Sequence, residues 1–159
     1  MEEWLIDGYN LIHSISAQKN PPSEFPSSPA ALCSLLAGFA SFKKQKMRMV
    51  LDGVGAPEEL KVHGTDYFEV VYSQKVSADH YIEKYIYQNK AVLAFIVITD
   101  DRTISGIARG GGAKVLKNSL FLEMLKEAGR EGKAILQKED VRTHGFNRPF
   151  DEKLKSKGL

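Results

Sequence analysis

At 159 residues, with 43% apolar and 26% charged side chains, the chain has material for one cored domain and little for a second. Its single cysteine, Cys33, excludes an internal disulfide and any cysteine-rich metal site, and fits a reducing compartment. No apolar run approaches a membrane span, and the Met-Glu-Glu-Trp start has neither the basic nor the apolar region of a signal peptide, so the expected location is the cytoplasm. The net charge of +2 is unevenly spread: residues 1–101 carry 9 Lys+Arg against 13 Asp+Glu, a net of −4, and residues 102–159 carry 13 against 7, a net of +6. That gradient suits a metal site beside a polyanion track, and suits a solvated basic tail at least as well.

In chain order, Trp4–Asp7 reads as a strand, followed by a loop, Asn20–Pro29, that holds four of the six prolines. Ala30–Lys46 places Leu32, Leu35, Leu36, Phe39 and Phe42 at helical spacing. Met47–Asp52 is a nearly continuous apolar strand, Gly53–Gly64 a loop, and Tyr67–Tyr72 a shorter strand. A helix over Ala78–Gln88 presents Ile82, Tyr85 and Ile86, and Leu93–Thr99 is a second continuous apolar strand, as expected of strands covered on both faces. Thr103–Arg109 is helical, Gly110–Gly112 a tight turn, Ala113–Leu116 a fifth strand, and Ser119–Glu131 a last helix through Leu120, Phe121, Met124 and Leu125. Beyond Gly132 the periodicity weakens, and from about 147 the chain is a polar, Lys-rich tail. Strands alternating with helices predict a single α/β domain over 1–159 with a mainly parallel sheet.

Carboxylates recur at strand ends: Asp7 closes the first strand, Asp52 the second and Asp100-Asp101 the fourth. Ligands of open α/β sheets bind outside these carboxyl ends, at the switch in strand order. Each Asp could equally cap the helix that follows it. Asp79 stands in the first turn of a helix capped by Ser77, with Glu83 one turn later on the same face, where a helix-start anion or a solvated charge is the plain reading of each. Grouped carboxylates repel and raise one another's pKa unless a cation neutralises them, and hard oxygen donors suit Mg²⁺ or Mn²⁺. Such ions activate water and stabilise charge on a phosphodiester. Arg102, Arg109, Lys114 and Lys117 follow the acidic rim and as a set are candidates for phosphate contact. Asn10, in a Gly-containing turn after the first strand, could orient water or phosphate, and Thr99 could hydrogen-bond a ligand carboxylate.

These motifs resemble the NYN-domain branch of the PIN-like nucleases, nearest to the bacterial YacP-like group. Asp7-Gly8-Tyr9-Asn10 is similar to the opening motif and Val50-Leu51-Asp52-Gly53 to the second acidic strand. Ser77-Ala78-Asp79 with Ile82-Glu83 resembles the ADxxIE helix, Thr99-Asp100-Asp101-Arg102 the T-x-D strand end, and Gly112-Ala113-Lys114-Val115 the entry to the last strand. The likeness spans about residues 4–125. It implies a three-layer α/β/α PIN-like fold and an endoribonuclease using Mg²⁺ or Mn²⁺. Asp7, Asp52, Asp79 and Asp101 are then catalytic, with Asp7, Asp79 and Asp101 on the metal and Asn10, Glu83, Thr99 and Asp100 in support. Some relatives act on translated messenger RNA, which makes the ribosome a candidate partner, with RNA itself the expected one. His80 stands where the family usually has a second acid.

Two other classes compete. A non-catalytic RNA- or ribosome-binding module on the same scaffold is opposed by the acids, which would repel RNA if uncompensated. An aspartate-nucleophile phosphatase would want an Asp where Tyr9 stands, and no Walker or Rossmann glycine signature follows the first strand.

Overall fold

The computed structural model describes residues 1–18, 25–56 and 65–144, with side chains described through residue 132. Residues 20–24 of the proline-rich loop, residues 57–64 and the tail from 147 lie outside the described residues. In chain order the elements are β1 (Glu2–Asp7), α1 (Gly8–Ser16), α2 (Pro29–Lys43), β2 (Lys46–Leu51), β3 (Phe68–Tyr72), α3 (Ala78–Asn89), β4 (Ala94–Ile98), α4 (Arg102–Gly110), β5 (Lys114–Leu116) and α5 (Asn118–His144). The chain divides into two units. Met1–Leu122 holds the sheet, α1 to α4 and the start of α5, and the described part of Glu123–Leu159 is the continuation of α5.

The five strands form one all-parallel sheet in the order β3-β2-β1-β4-β5. Alternation along the strands sends two sets of side chains to opposite faces. Leu5, Val50, Phe95 and Val97 pack with Ile82 and Ile86 of α3 and with Ile104 and Ala108 of α4. On the other face Trp4 meets Phe39 of α2 at 6.5 Å between ring centroids and Phe121 of α5 at 6.1 Å. This is the three-layer α/β/α arrangement expected. The core strands are apolar on both faces because both faces are covered.

Differences from the sequence-based reading have local causes. α1 replaces the turn expected around Asn10: Gly8, Leu11, Ile12 and Ile15 are buried at helical spacing, behind an Asp-Gly start that mimics a turn. At Gly8 a Cβ would lie 2.6 Å from Leu51 Cδ2 and 2.9 Å from the Val50 carbonyl, so only glycine lets the helix begin against β2. α2 ends at Lys43 rather than Lys46, because Lys44 turns left-handed (φ 53°) and Gln45 bonds the Glu2 and Lys46 carbonyls. α5 runs on through Gly132 to His144. An isolated glycine costs a helix only about 1 kcal/mol, and the residues after it are mostly good helix formers.

One buried polar network sits at the amino ends of the strands. Glu3, 2% exposed, pairs with Arg48 at 3.3 Å and accepts the Tyr85 hydroxyl at 2.7 Å, while Arg48 also reaches Glu69 at 2.8 Å. Burial and the bond to Glu3 push the Tyr85 phenol up to about 12. Arg48→Met leaves Glu3 buried without its cation and should lower stability by about 3 kcal/mol, read as a drop in the urea midpoint.

Candidate functional site

β1 is the centre of the sheet and its switch point. The chain builds β2 and β3 on one side of it, then crosses to lay down β4 and β5 on the other. Ligand sites of such sheets form outside the carboxyl end at that position, and here the residue in question is Asp7. Register pairs Ile6 with Ile98, so the next residues, Asp7 and Thr99, are neighbours, and Thr99 Oγ1 donates to Asp7 Oδ2 at 3.0 Å. Asp7 pairs with Val50, and Asp52 lies two residues beyond Val50 on the same face, as Asp101 lies two beyond Thr99.

Asp7 is 7% exposed, and although it occupies the position before α1, its carboxylate takes no capping hydrogen bond. Burial raises its pKa to about 6. The Thr99 hydroxyl and the backbone N–H of Asn10 oppose that rise, and the negative charges of Asp101 and Asp52 add to it. Among the described residues no cation pairs with it, whereas Glu3, on the same strand and face, is neutralised by Arg48. Two buried carboxylates four residues apart thus have opposite electrostatic settings.

The remaining aspartates touch helix starts. Asp52 accepts the Ala78 amide of α3 at 2.8 Å. Asp101 caps α4 through the Ile104 amide at 3.0 Å, and its own amide donates to Thr99 Oγ1 at 3.0 Å. Asp100, on the opposite face, accepts the Asn118 amide of α5 at 3.0 Å. Of the two adjacent acids, Asp101 caps the helix that follows, α4, and Asp100 serves the start of α5. Asp79 bonds the Ser77 hydroxyl and the His80 amide of its own helix, and the Ser77 bond holds its pKa below the usual carboxylate range. Glu83 is exposed and lines a groove of about 440 Å³ with Ile86, Tyr87, Lys90 and Ile107, towards the carboxyl halves of α3 and α4. No described contact joins Asp79 or Glu83 to Asp7. Among the described residues no three His, Cys, Asp or Glu side chains close into a ready-made metal cage.

The basic residues divide. Arg102 opens α4 directly after Asp101, and Lys117 follows Leu116, which pairs with Ile98, so both stand at the acidic rim. Arg109 is in the last turn of α4, about 10 Å along the helix from Arg102. Lys114 pairs with Ile96, five residues before Asp101 and about 16 Å back along the strand. These two lie towards the opposite end of the sheet.

Asn10 sits in the first turn of α1 and its Oδ1 collects donors: the Asp100 amide at 2.8 Å, Asn118 Nδ2 at 2.8 Å and, at 3.3 Å, the Thr99 hydroxyl. Asn118 is fully buried and also reaches Ser14 Oγ at 2.7 Å. Neither Asn118 nor Ser14 stands out in the sequence. The signal for Asn118 was the one that marked the aspartates, a polar residue between a strand end and a helix start.

The whole chain from residue 4 to 158 matches the YacP-like NYN domain. No curated protein sequence matches it. Two crystal structures of Rae1 (YacP) from Bacillus subtilis share the fold. A point mutant aligns with a TM-score of 0.69 at 23% identity, covering 89% of this chain and 85% of that one. The other has a TM-score of 0.67 at 23% identity and covers 87% and 81%. With the α/β/α sheet and the acids at its switch point, the match over residues 4–158 places this chain in the YacP-like NYN family, a group of nuclease-type domains that act on RNA.

Proposed function

We propose that the chain is a metal-dependent endoribonuclease that hydrolyses RNA phosphodiester bonds at the carboxyl end of β1. The observation that carries this reading is Asp7: a buried carboxylate with no countercharge among the described residues, flanked by Asp101 and Asp52, is a costly arrangement that a bound cation relieves. The donor set is all hard oxygen, which suits Mg²⁺ or Mn²⁺. Mg²⁺ is commonly held by one or two carboxylates and completes its shell with water, so a three-acid cage is not required. When bound, the ion supplies Lewis-acid activation of water and of the scissile phosphate.

The chain's own residues divide the remaining work. Asp7 and Asp101 hold the ion, with Asp52 and Asp79 adding negative potential around the entrance. Thr99 fixes the rotamer of Asp7 and ties the Asp101 backbone to it. Arg102 and Lys117, exposed at the rim, take flanking phosphates. Reversing both to Glu should weaken RNA binding and flatten the salt dependence by about 0.7 in log–log slope per lost contact on a single strand. Reversing Arg109 and Lys114 should change the slope much less, and equal effects from the two pairs would displace the RNA track from the rim.

A non-catalytic RNA-binding module finds its support in the helix-capping bonds of Asp52 and Asp101. Calorimetry with Mn²⁺, and incubation with an RNA pool in Mn²⁺ or in EDTA followed by sequencing of new ends, separate the two readings. Metal binding with new ends only in Mn²⁺ is expected, and a protein that neither binds Mn²⁺ nor produces ends is not a nuclease of this kind.

A further inference from the structure

Thr99 has one hydroxyl hydrogen and two acceptors within reach, Asp7 Oδ2 at 3.0 Å and Asn10 Oδ1 at 3.3 Å. Its oxygen meanwhile accepts the Asp101 amide, so the hydrogen has to choose between a carboxylate and an amide oxygen. What decides is how well Asn10 Oδ1 is already served. A carbonyl oxygen has two lone pairs, and here the Asp100 amide and Asn118 Nδ2, each at 2.8 Å, fill both.

The orientation of both amides follows from their surroundings. Asn10 has to face Asp100 N–H with its oxygen, since that group only donates, and Asn118 has to face the Asn10 backbone carbonyl with its nitrogen, at 3.3 Å, since that group only accepts. Asn118 Nδ2 is anchored on its far side by Ser14 Oγ at 2.7 Å. The residue is fully buried, and among the described residues its Oδ1 has no hydrogen-bond partner. An unsatisfied buried oxygen is a standing cost that an apolar side chain of the same size would avoid.

We infer that Asn118 is a positioning residue of the Asp7 site: by saturating Asn10 Oδ1 it commits the Thr99 hydroxyl to Asp7 and fixes the carboxylate for cation binding. The inference rests on the metal-binding role proposed above for Asp7. It makes the start of α5, more than a hundred residues from Asp7 in sequence, part of the machinery of the site without touching the ion. Without Asn118, a lone pair of Asn10 Oδ1 opens to Thr99, the hydroxyl hydrogen divides between the two acceptors, and Asp7 is held less firmly.

The test is a double-mutant cycle read by Mn²⁺ affinity in calorimetry. Asn118→Leu keeps the branched shape and the number of heavy atoms and removes the donor, and Thr99→Val removes the hydroxyl through which Asn118 is proposed to act. Asn118→Leu should weaken Mn²⁺ binding about tenfold in the native background, the usual scale for outer partners of a metal ligand. In the Thr99→Val background it should change affinity less than about twofold, because residues acting through one another are not additive. The same fractional loss in both backgrounds, or none in the native one, overturns the inference. Melting curves run alongside report the structural contribution, which should be similar in the two backgrounds. Should Asn118→Leu fail to fold, Asn118→Ala enters the same cycle. If the native chain binds no Mn²⁺, the functional reading itself has failed and this inference falls with it. If the native chain binds Mn²⁺ and the cycle is additive, the inference alone has failed.

Discussion

At pH 7, Asp7→Asn should make the protein more stable and reduce RNA cleavage by orders of magnitude. Burial and two neighbouring carboxylates raise the Asp7 pKa from 3.8 to about 6. Between those values the folded protein retains a proton that the unfolded chain has released, so stability falls as pH rises through the window and the penalty is complete above about 6. The full penalty is at most about 3 kcal/mol, taken from the two-unit shift. Asparagine has the same shape and carries no charge, so the variant escapes this loss. Its melting temperature should exceed that of the native protein at pH 7, and the two should converge towards pH 4. Adding Mn²⁺ should raise the native melting temperature and leave the variant unmoved, since only a species bound by the folded state stabilises it. A variant that melts lower than the native protein at pH 7, or cleaves normally in saturating Mn²⁺, removes Asp7 from the centre of the site.

The second large effect separates two adjacent acids. Asp101 lies on the face of Asp7 and Thr99, its amide is bonded to Thr99, and its charge acts on Asp7. Asp100 points to the other face, where it accepts the Asn118 amide and, at 3.5 Å, the Ser14 hydroxyl. Asp101→Asn keeps an oxygen able to cap Ile104 but removes the charge, so cleavage and Mn²⁺ affinity should fall by about 100-fold with little change in folding. Asp100→Asn should reduce cleavage far less and show itself mainly in stability. Single-turnover rates on the two folded variants decide the matter. A dead Asp100→Asn beside an active Asp101→Asn would reverse the proposed roles of the two acids.

Much of this arrangement could be read from the sequence because it depends on short-range pattern. Continuous apolar runs such as Met47–Leu51 reveal strands covered on both sides, and acids at three strand ends follow from topology once the sheet is known to be parallel. Alternation along Ile98–Asp101 puts Asp100 and Asp101 on opposite faces, and in the fold they bond to different helices, α5 and α4. What could not be read depends on distant partners. Asn118 gains meaning only from Asn10 and Ser14, 108 and 104 positions away. Whether an Asp at a strand end caps a helix or stays available depends on side-chain rotamers: Asp52 and Asp101 cap, and Asp7 does not. Arg109 and Lys114 show a different failure, since clustering in sequence suggested one surface while α4 carries the chain back to the far end of the sheet.

The central place of β1 also bears on the order in which the site can form. Asp7 is among the first residues made, yet its hydroxyl partner Thr99 lies 92 positions later and the amide that steadies Asn10 comes later still. Between them in the chain come β2 and β3, on one side of β1, and α3. A chain emerging from synthesis, or truncated before residue 118, therefore carries Asp7 and Asp52 but lacks part of the shell around them. The bonds that close the shell around Asp7 and Asn10 are therefore complete only once β5 and the start of α5 are present.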